Sequence, residues 1–151
     1  MSFPTRLLLG LLLALIALPL LSAEIPLPLR HDLQVKLEPA KKWLQVRDTI
    51  TLPQPTGELT LDLHAGLSPA FHSDHGPVAS TRVLADNYRE RYRLKLPKNS
   101  RTLRIDYGGV IHHALSSSRA EQSRGFRRSD GLIDAKGVFL AAGSLWYPQI
   151  D

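Results

Sequence analysis

The sequence predicts an all-β protein, in which an antiparallel β-sandwich or saddle-like domain follows a cleaved signal peptide. Three observations predict this class. Apolar and polar residues alternate with a period of two in several short runs, which is typical of half-buried strands. Clusters rich in proline and glycine separate these runs, as turns between antiparallel strands do. The mature chain nowhere sustains the three-and-four spacing of an amphipathic helix.

The chain opens with the three parts of a secretory signal peptide, assigned to residues 1–23. Arg6 precedes the apolar run Leu7–Leu21, and small residues follow up to Ala23. We expect cleavage after Ala23. The alternative is an uncleaved anchor, which Pro19 and the shortness of the run disfavour, because a spanning helix needs about 20 apolar residues. An export signal without cysteine favours the periplasm or cell envelope, with full secretion as the alternative.

Residues 24–112 are predicted to form the antiparallel β domain. The predicted strands are His31–Glu38, Trp43–Leu52, Leu59–His64, Thr81–Leu84, Tyr88–Leu96 and Leu103–Tyr107. The predicted turns and breaks are Pro39–Lys42, Pro53–Gly57, the loop 65–76, Ala85–Asn87, Pro97–Ser100 and Gly108–Gly109. Asp48 interrupts the apolar face of the second strand, so we expect a bulge or an exposed edge there.

Residues 113–131 are polar and basic, and they are predicted to form a long loop. Residues 132–151 contain a returning strand at Gly137–Ala142 and then the aromatic pair Trp146 and Tyr147. Two large aromatic side chains need a surface to pack against. We therefore expect residues 132–151 to be the end of a domain that further chain would complete.

The charge balance is basic, with 19 Lys and Arg against 14 Asp and Glu. An exported protein seldom meets nucleic acid, so the expected anionic partners are envelope polymers or lipid headgroups. Four basic residues alternate along one predicted strand and share a face: Arg89, Arg91, Arg93 and Lys95. These are the candidate ligand-binding residues. The alternative is an ordinary solvated sheet face, tempered by Glu90 and Asp106.

Candidates for metal binding and catalysis are weak. His72 and His75 flank Asp74 and could ligate a metal, but zinc needs three or four ligands, and a solvated polar loop is the alternative. His112 and His113 lie near Ser116, yet neighbouring strand residues point to opposite faces, and no Gly-x-Ser-x-Gly frame is present. Phosphate-binding and dinucleotide motifs are also missing. We assign no catalytic residue and expect no cofactor in this chain.

The strand pattern also resembles that of a known family. The segments that carry the resemblance are His31–Leu37 with Leu44–Leu52, Leu59–Leu67, Tyr92–Pro97, Leu103–Ile111, and Gly131–Ile133 and Gly137–Leu140 with Ser144–Pro148. In order, they resemble the amino-terminal β domain of the gluzincin zinc aminopeptidases. The resemblance implies a β domain that packs on a separate catalytic peptidase domain, in cis or in trans. Zinc would belong to that missing domain.

The family's catalytic motifs are absent from this sequence. Neither Gly-x-Met-x-Asn nor His-Glu-x-x-His occurs, so no catalytic or zinc-binding residue is carried over. The sequence therefore favours a fragment or split part of such a metallopeptidase, with an architectural role. One alternative is a free-standing envelope binding module that uses the basic sheet face. A third hypothesis is a lone metal-dependent hydrolase around His72 and His75.

Overall fold

The computed structural model describes residues 27–116, 123 and 129–151. The predicted signal peptide lies outside the described residues, as does most of the predicted loop 113–131. The strands are β1 (Arg30–Glu38), β2 (Trp43–His64), β3 (Leu67–His72), β4 (Ala79–Ala85), β5 (Arg89–Val110), β6 (Gly131–Asp134), β7 (Gly137–Leu140) and β8 (Gln149–Ile150). All pairings are antiparallel, so the prediction of an antiparallel all-β fold is confirmed. No helix among the described residues is long and apolar enough to cross a bilayer.

Two strands of 22 residues each, β2 and β5, form the centre of the six-stranded sheet. The turns predicted at Pro53–Gly57 and Pro97–Ser100 are wrong, because both strands continue through them. The two proline segments meet where the β2–β5 register shifts, between Thr51 and Glu58. A proline lacks the N–H that a regular ladder needs, but a bulge leaves residues unpaired and so accommodates it.

The register shift divides the sheet into two halves. The near half contains β1, residues 43–51 of β2, residues 102–110 of β5, and β3. The far half contains β8, residues 58–64 of β2, residues 89–95 of β5, and β4. Each half has an inner face toward the core and an opposite, outer face. Along β2 the inner positions change from even numbers, such as Leu44, to odd numbers, such as Leu61.

Both halves contribute to one hydrophobic core. Its members are Leu44, Val46, Ile50, Leu52, Leu59, Leu61, Leu63, Leu67, Leu94, Leu96, Leu103, Ile105, Tyr107, Ile111 and Ile133. Ile133 comes from β6, which pairs with β7 and also forms backbone hydrogen bonds with residues 111–113. A residue beyond the predicted loop therefore packs in the same core as the main sheet.

The loop predicted at residues 65–76 is partly wrong, because it contains strand β3. Gly108–Gly109 likewise does not end the preceding strand, since β5 runs through both glycines to Val110. Gly109 lies opposite Leu67 of β3, and a Cβ there would collide with the carbonyl oxygen of Gly66. Glycine at this position thus permits the close approach of two strands rather than breaking one.

The C-terminal segment packs against the sheet. The backbone N–H of His64 donates to the carbonyl of Leu145 at 2.9 Å, and β8 pairs with Leu61 and Asp62. Pro148 is fully buried and Trp146 packs against the core. Tyr147 lies edge-on to the His31 ring, with centroids 5.7 Å apart. The two aromatic side chains thus pack against the described domain itself.

Candidate functional site

The candidate ligand-binding residues Arg89, Arg91, Arg93 and Lys95, which we call the basic row, lie on the outer face of the far half. Arg91 forms a two-pronged pair with Asp62, with Nε–Oδ1 and Nη2–Oδ2 distances of 2.7 and 2.8 Å. Arg89 lies 3.8 Å from Asp62 and 3.6 Å from Asp86. The hydrogen bonds that Arg91 donates to Asp62 raise the pKa of Arg91, which stays charged at any physiological pH. These ion pairs compensate the charge at this end of the row.

The other end of the basic row is more exposed. Arg93 Nε lies 3.7 Å from Glu58 Oε1, and the two side chains are 56% and 62% exposed. Lys95 is exposed and lies opposite Glu58 in the β2–β5 register. An anionic ligand would therefore compete with Glu58 at this end. The binding of such a ligand by Arg89, Arg91, Arg93 and Lys95 stays a prediction.

The candidate metal ligands His72 and His75 lie at the end of β3 and in the turn after it. His72 Nε2 is 3.5 Å from Asp106 Oδ2, which is an ion pair whenever the imidazole is protonated. The backbone N–H of His75 donates to Ser73 Oγ at 3.2 Å. Within residues 27–116, 123 and 129–151, no group of three or more His, Asp or Glu side chains could hold a metal ion. Metal binding here stays a prediction.

Asp48 is buried, which corrects the expectation of a bulge or an exposed edge. The β1–β2 and β2–β5 registers run through it without a shift, and its side chain is 0% exposed on the inner face. His31 Nδ1 donates to Asp48 Oδ2 at 2.7 Å, while Oδ1 has no hydrogen-bond partner. The Tyr107 hydroxyl is also buried without a partner. Burial, with a smaller contribution from the Asp48 charge, raises the Tyr107 pKa.

His64 and His113 form a second buried polar contact. Their Nε2 atoms are 2.9 Å apart. The Gly66 N–H donates to Nδ1 of His64 at 2.8 Å, so the Nε2 of His64 carries the proton and donates to His113. Burial, and then the charge of His113, lower the pKa of His64. The lowered pKa keeps the His64 ring neutral in this arrangement.

A pocket of about 680 Å³ lies beside this histidine pair, and Tyr88, His112, His113, Ser116, Ser129 and Asp130 are among its lining residues. Ser129 Oγ donates to the backbone carbonyl of His113 and accepts from the Gly131 N–H. Its hydroxyl thus holds the backbone in place. Among the described residues, no activated serine lies beside the histidine pair.

A second concave region lies on the outer face of the near half. The strand registers align side chains in cross-strand rows, which are Glu38–Trp43–Val110, Lys36–Gln45–Gly108–Ser68 and Gln34–Arg47–Asp106–Ala70. The middle row contains glycine and serine, so the sheet surface is depressed there. We call this depression the outer groove, and its main lining residues are Gln34, Trp43, Gln45, Arg47, Asp106 and Gly108. Its volume is about 630 Å³.

Trp43 forms one wall of the outer groove. Its side chain is 41% exposed, although it lies next to the buried Leu44. A Cβ on Gly108 would be 3.5 Å from the Trp43 ring, so the indole packs against the backbone of Gly108. On the other side, Arg47 Nε donates to Asp106 Oδ1 at 2.7 Å. The groove therefore combines an aromatic surface with a fixed polar wall.

No family model, no curated protein and no solved structure matches this chain. Sequence reasoning placed the basic row on one strand because a period of two is a local signal. It missed the outer groove because that surface depends on the register of four strands.

Proposed function

We propose that this chain is an exported, non-catalytic β domain of a zinc aminopeptidase-like protein, and that it packs against a separate zinc-binding peptidase domain. The sequence resemblance to the gluzincin aminopeptidases suggests the family. The observation that carries the proposal is an exposed apolar surface on strand β1. This strand lies at the edge of the near half, and the core leaves part of its inner face exposed.

Val35 and Leu37 make up this uncovered surface, which we call the apolar edge. Val35 is 44% exposed and Leu37 is 39% exposed, whereas their direct partners on β2, Val46 and Leu44, are 2% and 0% exposed. The two pairs lie on the same side of the sheet, so the core covers β2 but stops short of this part of β1. An edge strand with exposed apolar side chains is a pairing and packing surface unless something covers it.

In this proposal the chain contributes architecture, and the zinc and the catalytic residues belong to the partner domain. The described residues offer no zinc ligand set that would compete with such a site. The partner domain would cover the apolar edge and remove Val35 and Leu37 from water.

The test asks whether the purified protein has zinc-dependent aminopeptidase activity and whether a change at the apolar edge lowers that activity. The chain is tagged and purified from its native envelope, together with any polypeptide that is joined or bound to it. Hydrolysis of aminoacyl 4-nitroanilides is then measured before and after chelation. We expect activity that chelation abolishes and added zinc restores. A preparation in which all of the chain is monomeric and inactive would contradict the proposal.

The matched variants are Val35→Thr and Val46→Thr, which make the same change at directly paired positions. Val35→Thr should leave the stability of the isolated chain within about 0.5 kcal/mol of the wild type, since this side chain is exposed. Val46→Thr should lower it by about 1–3 kcal/mol, because it buries a hydroxyl. Only a partner that covers the apolar edge makes Val35→Thr lower the recovered activity without unfolding the chain.

A second candidate function is binding to an anionic envelope surface, and the exposure of Arg93 and Lys95 favours it. Its test is sedimentation of the chain with vesicles containing anionic lipid. Binding through these residues must weaken as salt rises. Binding that is absent, or that Arg93→Gln does not weaken, would contradict it.

A further inference from the structure

We propose that the outer groove binds a neutral oligosaccharide. This inference concerns a different face of the sheet from the apolar edge, and it does not depend on the peptidase proposal. The argument starts from Trp43, which is exposed although a surface tryptophan in a polar sheet face has no role in the core. Its indole lies against Gly108, where a glycine leaves room for a flat ring.

The exposed indole of Trp43 can pack against one face of a sugar ring. The faces of a pyranose carry C–H groups, which pack on the electron-rich face of an indole. The hydroxyl groups at the rim of the same ring need donors and acceptors in the plane around it. Gln34 and Gln45 supply amides that can do both, and each amide offers two donors and one acceptor oxygen.

The charges of the outer groove favour a neutral ligand. Arg47 is paired with Asp106 at 2.7 Å, and Lys36 is paired with Glu38 at 3.1 Å. Asp106 also has Arg104 at 3.5 Å. The two cations that line the groove, Lys36 and Arg47, therefore each have an acidic partner, although Lys41 and Arg104, which do not line it, share the same two carboxylates. A paired guanidinium and carboxylate can still exchange hydrogen bonds with sugar hydroxyls.

The shape of the groove fits the same occupant. Its volume of about 630 Å³ lies within the range of about 300–1,000 Å³ for small-molecule pockets. It runs across four strands on the face of the sheet and not along a free edge. A peptide that added a strand would instead need the unpaired backbone groups of an edge.

The experiment titrates the full chain with chitotetraose, cellotetraose and maltotetraose, and with adenosine as a flat, non-saccharide ligand. Trp146 is the other tryptophan in the chain, so Trp146→Phe leaves Trp43 as the single fluorescent reporter. We expect at least one tetrasaccharide to change the Trp43 emission with a saturable dependence on concentration. Added salt should leave the affinity unchanged, because the groove's charges are paired.

Trp43→Ala lacks the reporter, so its binding is measured by isothermal titration calorimetry, and it should be weaker at least about tenfold, as after loss of a central tryptophan at other binding sites. Gln45→Ala changes an exposed polar side chain, folds like the wild type, and should weaken the binding several-fold. Phe139→Ala is the matched control, since Phe139 is 58% exposed and is not among the residues lining the groove. It should bind like the wild type.

Three results would overturn the inference. The first is that none of the three tetrasaccharides binds, and the second is that only adenosine does. The third is that Gln45→Ala and Trp43→Ala, once circular dichroism has shown that they are folded, bind the sugar with the affinity of the wild type. A groove that binds sugar through these residues cannot give any of these results.

Discussion

Asp48 and Asp62 lie on the same strand, β2, but in the two different halves of the sheet. Asp48 points into the core of the near half, where His31 binds one carboxylate oxygen and the other has no partner. Asp62 points to the outer face of the far half, where Arg91 binds both oxygens and β8 lies alongside. The first carboxylate is fully buried with one contact, and the second is 8% exposed with several.

This difference shows how much a buried charge depends on each of its partners. Asp62 has several cations nearby, and water can still reach some of them. Asp48 has a single hydrogen-bonded partner and no access to water. An isolated charge in a protein interior is very costly, so removing the His31 partner of Asp48 should lower stability far more than removing any one contact of Asp62.

The largest predicted effect is therefore that of His31→Ala. This change leaves the Asp48 carboxylate buried without its partner, and it should lower the free energy of unfolding by about 3–5 kcal/mol. Urea denaturation followed by circular dichroism measures it. The double variant His31→Leu/Asp48→Leu should recover most of the loss, because it replaces the buried pair with apolar side chains. A loss below about 1 kcal/mol for His31→Ala would mean that Asp48 is not buried as described.

Arg91→Ala should have a smaller effect, of about 1–2 kcal/mol, although it removes a two-pronged ion pair. Arg91 is 34% exposed, and Arg89 remains close to Asp62 in the variant. The same urea denaturation measures the loss, and repeating it at high salt should shrink the difference from the wild type. A larger loss in the free energy of unfolding for Arg91→Ala than for His31→Ala would contradict this explanation of the two aspartates.

The smallest predicted effect is a pH dependence that comes from His64. Its pKa is lowered from the ordinary value of 6.5 by burial, and then by the charge of His113. Below about pH 6.5 the unfolded chain takes up a proton at this residue while the folded chain resists it. The free energy of unfolding should therefore fall as the pH drops below 6.5.

The matched variant is His64→Asn, whose side-chain oxygen can still accept the Gly66 N–H but cannot titrate. Stability is measured by urea denaturation at pH 7.5 and 5.5 for both proteins. The difference between the two pH values should be smaller in the variant. An equal difference would show that His64 does not contribute to the pH dependence.

Local patterns in the sequence predicted much of the fold. Alternation placed Leu44 and Val46 inside, and it placed Arg91 and Arg93 together on one face. It failed at the prolines, because rules for proline in a regular ladder do not apply where the register of two strands shifts. It also failed at Asp48, because His31 stabilises this carboxylate from another strand, and the pairing of two strands is not visible in the period of either.

The candidate sites also differ in whether a local sequence pattern could predict them. The basic row is a property of one strand, so the sequence revealed it. The outer groove combines Gln34 from β1, Trp43 from β2 and Gly108 from β5, and the apolar edge is defined by where the core ends. Both are consequences of register and packing, which a single sequence does not display.

We propose that this β domain works with a separate peptidase domain. The most direct measurement is to sequence the native transcript through the codon for Asp151 and beyond it. The account predicts an open reading frame, continuous or adjacent, that encodes a His-Glu-x-x-His zinc motif. A stop codon there, with no peptidase motif in the neighbouring frames, would contradict it.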